Sequence, residues 1–101
     1  MKKSEKYVKV QKSINDIHSD LLGDNSLSCM FAIKHCVINE ITDNKTVAII
    51  KNLKNSSLVE WNSCKISNCA YAALHLLNVE SYQGNDEQVQ DLIDTVFYTT
   101  V

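Results

Sequence analysis

Residues 28–40, "SCMFAIKHCVINE", are repeated in altered form at residues 68–80, "NCAYAALHLLNVE", forty positions on. Cys29 recurs as Cys69, Ala32 as Ala72, His35 as His75 and Glu40 as Glu80, and aromatic Phe31 is matched by Tyr71. The second copy spaces Ile66, Cys69, Ala70, Ala73, Leu74 and Leu77 at steps of three and four, which put side chains on one helix face. Each copy is followed by a linker and a second amphipathic stretch, "VAIIKNL" at 47–53 and "VQDLIDTV" at 89–96. The repeated unit is therefore a helix pair, and the expected fold class is all-α with about five helices.

The segments around the two copies agree. Val10, Ile14, Ile17 and Leu21 form one apolar stripe, which predicts a first helix over Ser4 to Leu22, with Gly23 at the left-handed position that closes a helix. Asp24, Asn25 or Ser26 can cap the next helix. Its residues Leu27, Met30, Phe31, Ile33, Val37, Ile38 and Ile41 surround most of the circumference, as in a helix held between neighbours. Thr42 or Asp43 can cap a third helix with Val47, Ile50 and Leu53 inward. The fourth runs from about Ser63 to Asn78. The fifth runs from Asn85 to Tyr98, with Asn85 and Gln88 as a capping box and Val89, Leu92, Ile93 and Val96 inward. "NSSLVEW", residues 55–61, is the loosest connection, with room for a short extended piece at Val59 and Trp61. "VAII" also reads as a strand, so α+β is the alternative class. Proline is absent and the only glycines are Gly23 and Gly84, which is too little turn punctuation for a β-rich fold.

With 101 residues, 45% of them hydrophobic and 22% charged, the chain reads as one globular domain, 1–101. No apolar run reaches the ~20 residues of a membrane helix, and the first residues lack the apolar centre of a signal peptide. The expected location is the cytoplasm, with Cys29, Cys36, Cys64 and Cys69 as reduced thiols. Their spacings of seven and five do not match the short paired spacings of zinc ligands, so no metal is expected.

All ten basic residues are lysine. Without arginine the chain lacks the forked donor that reads guanine and clamps phosphate, and its net charge of −2 is not that of a nucleic-acid binder. Charge is nonetheless polarised. Residues 1–54 hold nine Lys against six acids, whereas residues 55–101 hold one Lys against six acids. Lys2, Lys3, Lys6, Lys9 and Lys12 are the one cluster that would contact phosphate if the chain bound nucleic acid.

A thiol enzyme would pair Cys29 or Cys69 with His35 or His75. Six residues along a helix separate the two side chains by roughly 120°, so a dyad would have to be built between helices. The alternative is small thiols in the core and histidines at helix boundaries, with His18 on the surface. No Gly-rich phosphate loop, nucleophile elbow or H-E-x-x-H occurs, and neither catalysis nor a cofactor is expected. One surface has distinct chemistry. Glu87, Asp91 and Asp94 stand at i, i+4 and i+7 of the last helix, with Tyr98 beyond, opposite its apolar face. Tyr71, Tyr82 and Trp61 offer an aromatic patch as a second surface, although Tyr71, like its counterpart Phe31, is expected in the core.

"KISNCAYAALHLLNVE" resembles the second helix of a HEAT unit in its A-x-x-A-L pattern, and the period of forty is near the ~40–47 residues of such units. The resemblance implies an α-solenoid fragment or compact bundle, with units at about 4–41 and 43–79 and a terminal helix at 85–98. The chain departs from the pattern in lacking the proline and arginine those units commonly carry. A short, acidic, Asn- and Lys-rich helical protein also resembles the small immunity proteins that bacteria encode beside toxin domains, including those of contact-dependent inhibition systems. That resemblance implies a protein-binding module that neutralises a basic, often nuclease, toxin. Its expected contact residues here are Glu80, Asp86, Glu87, Asp91, Asp94, Tyr98 and Trp61. The alternatives are an adaptor that binds a host protein and, behind it, a small nucleic-acid-binding protein.

Overall fold

Side-chain caps decide where four of the helices begin. In the computed structural model, which describes residues 13–59 and 64–97, Ser13 caps α1 (Ile14–Leu22) by accepting from the Asp16 N–H. Asn25 caps α2 (Ser26–Ile38) through Ser28, Asp43 caps α3 (Asn44–Leu53) through Thr46, and Asp86 caps α5 (Glu87–Asp94) through Gln88. Each bond satisfies an amide that the helix itself leaves without a partner. The start of α4 (Ile66–Leu76) has no side-chain cap from Lys65. Its first amides are satisfied from outside instead: the Ile66 N–H donates to the Leu58 carbonyl at 3.1 Å, and the Lys65 N–H donates to Gln88 Oε1 at 3.0 Å. Val59 and Lys65 form an isolated antiparallel bridge, which is the short extended piece expected at Val59.

Three helices end in one way. Glu40, Asn78 and Val96 adopt left-handed backbone at φ 53°, 61° and 50°, and in each case that residue's own amide and the next one turn back onto the last helical turn. The Ile41 N–H reaches Cys36, the Val79 N–H reaches Leu74 and the Phe97 N–H reaches Leu92, the six-to-one bond of a Schellman ending. Gly23 does not act in this way. Its φ of −80° and ψ of 179° are extended, so the left-handed closure expected there is absent and the chain leaves α1 straight. The fifth helix is also shorter than its apolar pattern suggests. It stops at Asp94, and the left-handed turn leaves Val96 39% exposed and carries Phe97 into the core in its place.

The five helices among the described residues pack as two pairs and a flanking helix. α1 lies on α2, α3 lies on α4, and the pairs meet through α1 against α3 and α2 against α4. α5 packs against α4. No strand forms among the described residues, so the all-α class holds and "VAII" lies within α3. The radius of gyration, 12.8 Å, matches the ~13 Å of a 100-residue globule.

The repeated segment occupies equivalent places in both copies. Cys29 and Cys69 are fully buried, Ala32 and Ala72 sit at the helix contacts, and Val37 and Leu77 close the core at the same depth. Ile17, Leu21, Ile33, Ile50, Ile66, Leu74, Val89 and Leu92 fill the rest. At ~1.5–3 kcal/mol per fully buried aliphatic side chain, this shared interior is what holds helices of only 8–13 residues. Alanine at Ala70, Ala72 and Ala73 lets α4, the helix with most neighbours, approach them closely.

Two expectations about side chains are corrected. Phe31 and Tyr71 share a repeat position that faces outward, 53% and 37% exposed, so α2 keeps a bare strip at Leu27 and Phe31, and Tyr71 is not core. His18 is buried, because α1 lies against α3 and turns it inward. Val10 and the remainder of the predicted first helix before Ser13 lie outside the described residues, but Ser13 itself is extended at φ −66° and ψ 158°, so the helix expected to run unbroken from Ser4 to Leu22 starts at Ile14 instead. No helix among the described residues is long and apolar enough to cross a membrane.

Candidate functional site

The segment between α4 and α5 is folded around Tyr82. Its backbone N–H donates to His75 Nδ1 at 3.0 Å, which fixes the ring's proton on Nε2. The Tyr82 hydroxyl accepts the Asp86 N–H at 3.0 Å, one residue before α5 starts. Tyr82 also meets Tyr71 edge-on, with ring centroids 5.6 Å apart and an interplanar angle of 62°. Gly84 lies beneath the phenol so closely that a Cβ there would stand 2.4 Å from the hydroxyl oxygen. This is a position where only glycine fits without displacing the ring.

The folded segment walls a cavity of about 490 Å³ together with α4, bordered by Asn68, Tyr71, Glu80, Tyr82, Gly84 and Asp86. Lys54 enters from the end of α3. Its Nζ donates to Glu80 Oε1 at 2.7 Å and stands 5.3 Å from the centre of the Tyr71 ring. The hydrogen bond from Lys54, followed by its positive charge and that of Lys51, holds the Glu80 carboxyl below the usual carboxylate range. An aromatic face beside a carboxylate is the setting in which an ammonium group is held, as it holds Lys54 here.

Beyond Asp86 the exposed edge of α5 continues the acidic character. Glu87, Asp91 and Asp94 border a shallow depression with Gln88 and Gln90. Gln90 Nε2 donates to Asp94 Oδ1 at 3.0 Å and so orients that carboxylate along the helix edge. Gln88 has a different task from the expected capping box. Its Oε1 accepts from the Lys65 N–H and from Asn68 Nδ2 at 2.9 Å, which ties the start of α5 to the start of α4, while Asp86 rather than Asn85 supplies the cap.

The expected contact residues thus divide. Glu80 and Asp86 border the Tyr71–Tyr82 cavity, and Glu87, Asp91 and Asp94 form the edge that follows it. Glu80 is already paired to Lys54, and Asp86 spends one carboxylate oxygen on its helix. Trp61 and Tyr98 lie outside the described residues. The sequence offers Tyr71 beside Tyr82 in an aromatic patch but favours the core for it, and it gives no sign of Lys54 as part of this surface. The signal for Tyr71 was available in its repeat relation to Phe31, had the shared position been read as outward.

A second polar cluster runs from the buried His18 and Thr46 out to the exposed Asp43. His18 Nε2 stands 2.7 Å from Thr46 Oγ1, and the Thr46 hydroxyl donates to Asp43 Oδ1 at 2.7 Å. Histidine, hydroxyl and carboxylate are the components of a nucleophilic triad, but their order is wrong for one. The hydroxyl proton is committed to Asp43, so the histidine donates to the oxygen instead of drawing a proton from it, and Thr46 is fully buried. What the cluster can do is join α1 to the cap of α3.

The cysteine–histidine alternative finds other partners. Cys29 Sγ donates to the Leu21 carbonyl at 3.6 Å, His75 is held by Tyr82, and the last-turn His35 bonds Asn39. Burial, reinforced by Asp20 for Cys29 and Asp43 for Cys36, pushes these two thiols up to about 11 and about 12. Such thiols are protonated at neutral pH and are poor nucleophiles. Among the described residues no three His, Cys, Asp or Glu side chains come together as a metal site. No family model, curated protein or solved structure matches the chain.

Proposed function

We propose that this protein is a non-catalytic, cytoplasmic binding module, without a cofactor, that neutralises a basic toxin domain by covering it with its α4–α5 end. The observation that carries the reading is the run of acidic residues from one depression to the next: Asp86 borders the Tyr71–Tyr82 cavity, the adjoining Glu87 borders the depression of Asp91 and Asp94, and no basic residue follows His75 in the chain. A one-sign edge raises the rate of encounter with an oppositely charged partner, and exposed tyrosine supplies contact area at low entropic cost. The Lys54 ammonium against Tyr71 and Glu80 illustrates the contact that a partner's lysine or arginine would make nearby. The pairing of α1 with α2 and of α3 with α4 also supports the helical-repeat resemblance.

A second reading is favoured by one feature, the outward Phe31 and Leu27 on α2. An adaptor binding a host protein would use that apolar strip, with weaker salt dependence.

The two are separated by calorimetric titration against the protein encoded by the adjacent reading frame, comparing wild type with Asp91→Lys/Asp94→Lys. Both substitutions lie near the C-terminal end of α5, where lysine suits the helix dipole, so the fold is retained. The toxin reading predicts tight binding that weakens at least ~10-fold in the variant and weakens further with salt. Equal affinity for both proteins, or no complex with that partner, contradicts it.

A further inference from the structure

We infer that Cys64 and Cys69 form a dithiol site that closes reversibly to a disulfide, stapling the linker after α3 to the first turn of α4. Their sulfur atoms are 3.5 Å apart in the thiol form, so formation of a bond of about 2.05 Å needs a local approach and no rearrangement of helices. Cys64 immediately precedes the α4 cap residue Lys65, and Cys69 lies one turn inside the helix, the two positions that a hydrophobic staple joins. Access is divided between them. Cys64 is partly exposed, whereas Cys69 is fully buried. Cys29 and Cys36, both buried, have the high thiol values given above and stand apart from this chemistry.

The oxidant is a small-molecule disulfide of the glutathione class. The Cys64 thiolate attacks one sulfur of oxidised glutathione, forming a mixed disulfide and releasing one glutathione thiolate. The Cys69 thiolate then attacks the Cys64 sulfur and releases the second. Two protein thiols are oxidised, one glutathione disulfide is reduced to two glutathiones, and the two thiol protons end on the released sulfurs. Because the Lys65 N–H and Asn68 both bond Gln88 of α5, the closed form would also fasten the joint between α4 and α5.

The chain allows an unambiguous test. Cleavage after every lysine puts the four cysteines in four peptides, 13–34, 35–45, 55–65 and 66–101, with Lys65 between the pair. The native protein is incubated with excess oxidised glutathione, unfolded, alkylated, digested and mapped by mass. The expected product is peptide 55–65 joined to 66–101, separable by reduction, with loss of two of the four thiols and alkylated Cys29 and Cys36. In Cys69→Ser the reaction should stop at one glutathione on Cys64, and in Cys64→Ser no cross-link should form. A glutathione adduct on wild-type Cys64 that never resolves, a cross-link through Cys29 or Cys36, or four unreacted thiols would each overturn the proposal.

Discussion

His18 of α1 gives its Nε2 hydrogen to Thr46 Oγ1 of α3, 2.7 Å away in the interior, because the threonine's single hydroxyl hydrogen is already given to Asp43. The contact joins two helices 28 residues apart in the chain through a pair of buried polar groups. Replacing Thr46 with the equally bulky valine leaves the histidine N–H and the carboxylate without it. We expect Thr46→Val to lower unfolding stability by ~1–3 kcal/mol in urea titration. Thr46→Ser, which keeps the hydroxyl, should lose less.

Asp43 gives this cluster its pH dependence. Its carboxyl is held below the usual carboxylate range by the side-chain hydrogen bond from Thr46, then by the Thr46 N–H, with a further contribution from the charge of His18. The folded value lies below the unfolded one, so the stabilisation is complete above about pH 4 and is lost as pH falls through the folded value. Asp43→Ala should be less stable than wild type by ~1–2 kcal/mol at pH 7. The gap should narrow in acid, measured by urea unfolding at several pH values below 5.

Gly84 and Tyr82 make a similarly local prediction. An alanine Cβ at 84 meets the phenol at 2.4 Å, so Gly84→Ala must swing the ring away from the Asp86 amide and from Tyr71. The nuclear Overhauser contacts between the two tyrosine rings should disappear. The ~0.4–1 kcal/mol that a Gly→Ala change usually adds through the unfolded chain should be absent.

Much of the fold was legible because helix spacing, caps and the forty-residue repeat all pointed the same way. Asn25 and Asp43 stand where the start of an amphipathic stretch needs a side-chain acceptor, whereas the cap at Ser13 was hidden inside an apolar stripe that runs on from Val10 to Leu21. The repeat also located the core, since Cys29 and Cys69, and Ala32 and Ala72, are buried alike. What remained hidden depends on which helix lies against which. His18 is buried because α3 covers α1, and Phe31 and Tyr71 are exposed because no helix among the described residues covers that side of α2 and α4. Gly23 and Val96 misled for a local reason. A left-handed ending needs the following amides to find the last helical carbonyls, and the chain met that at Val96 despite its β-branched side chain and not at Gly23. Of the candidate site, the acidic edge of α5 was visible in the spacing of Glu87, Asp91 and Asp94. The cavity beside it depends on Tyr82 folding back onto α4, which no periodicity encodes.

The buried thiols should be chemically silent. With values raised to about 11 and about 12, Cys29 and Cys36 are almost wholly protonated at pH 8 and shielded by the core. Iodoacetamide should modify Cys64 first in the native protein. Cys29 and Cys36 should be modified only at the rate at which the protein unfolds, as followed by mass mapping of their separate peptides.

The most direct measurement is a map of backbone amide shifts for the isotope-labelled protein as its basic partner is added. The account predicts that the perturbed residues cluster from Glu80 to Asp94 and at Tyr71, with the α1–α3 surface little changed. Perturbations centred on Leu27 and Phe31, with the α4–α5 end unmoved, would contradict it.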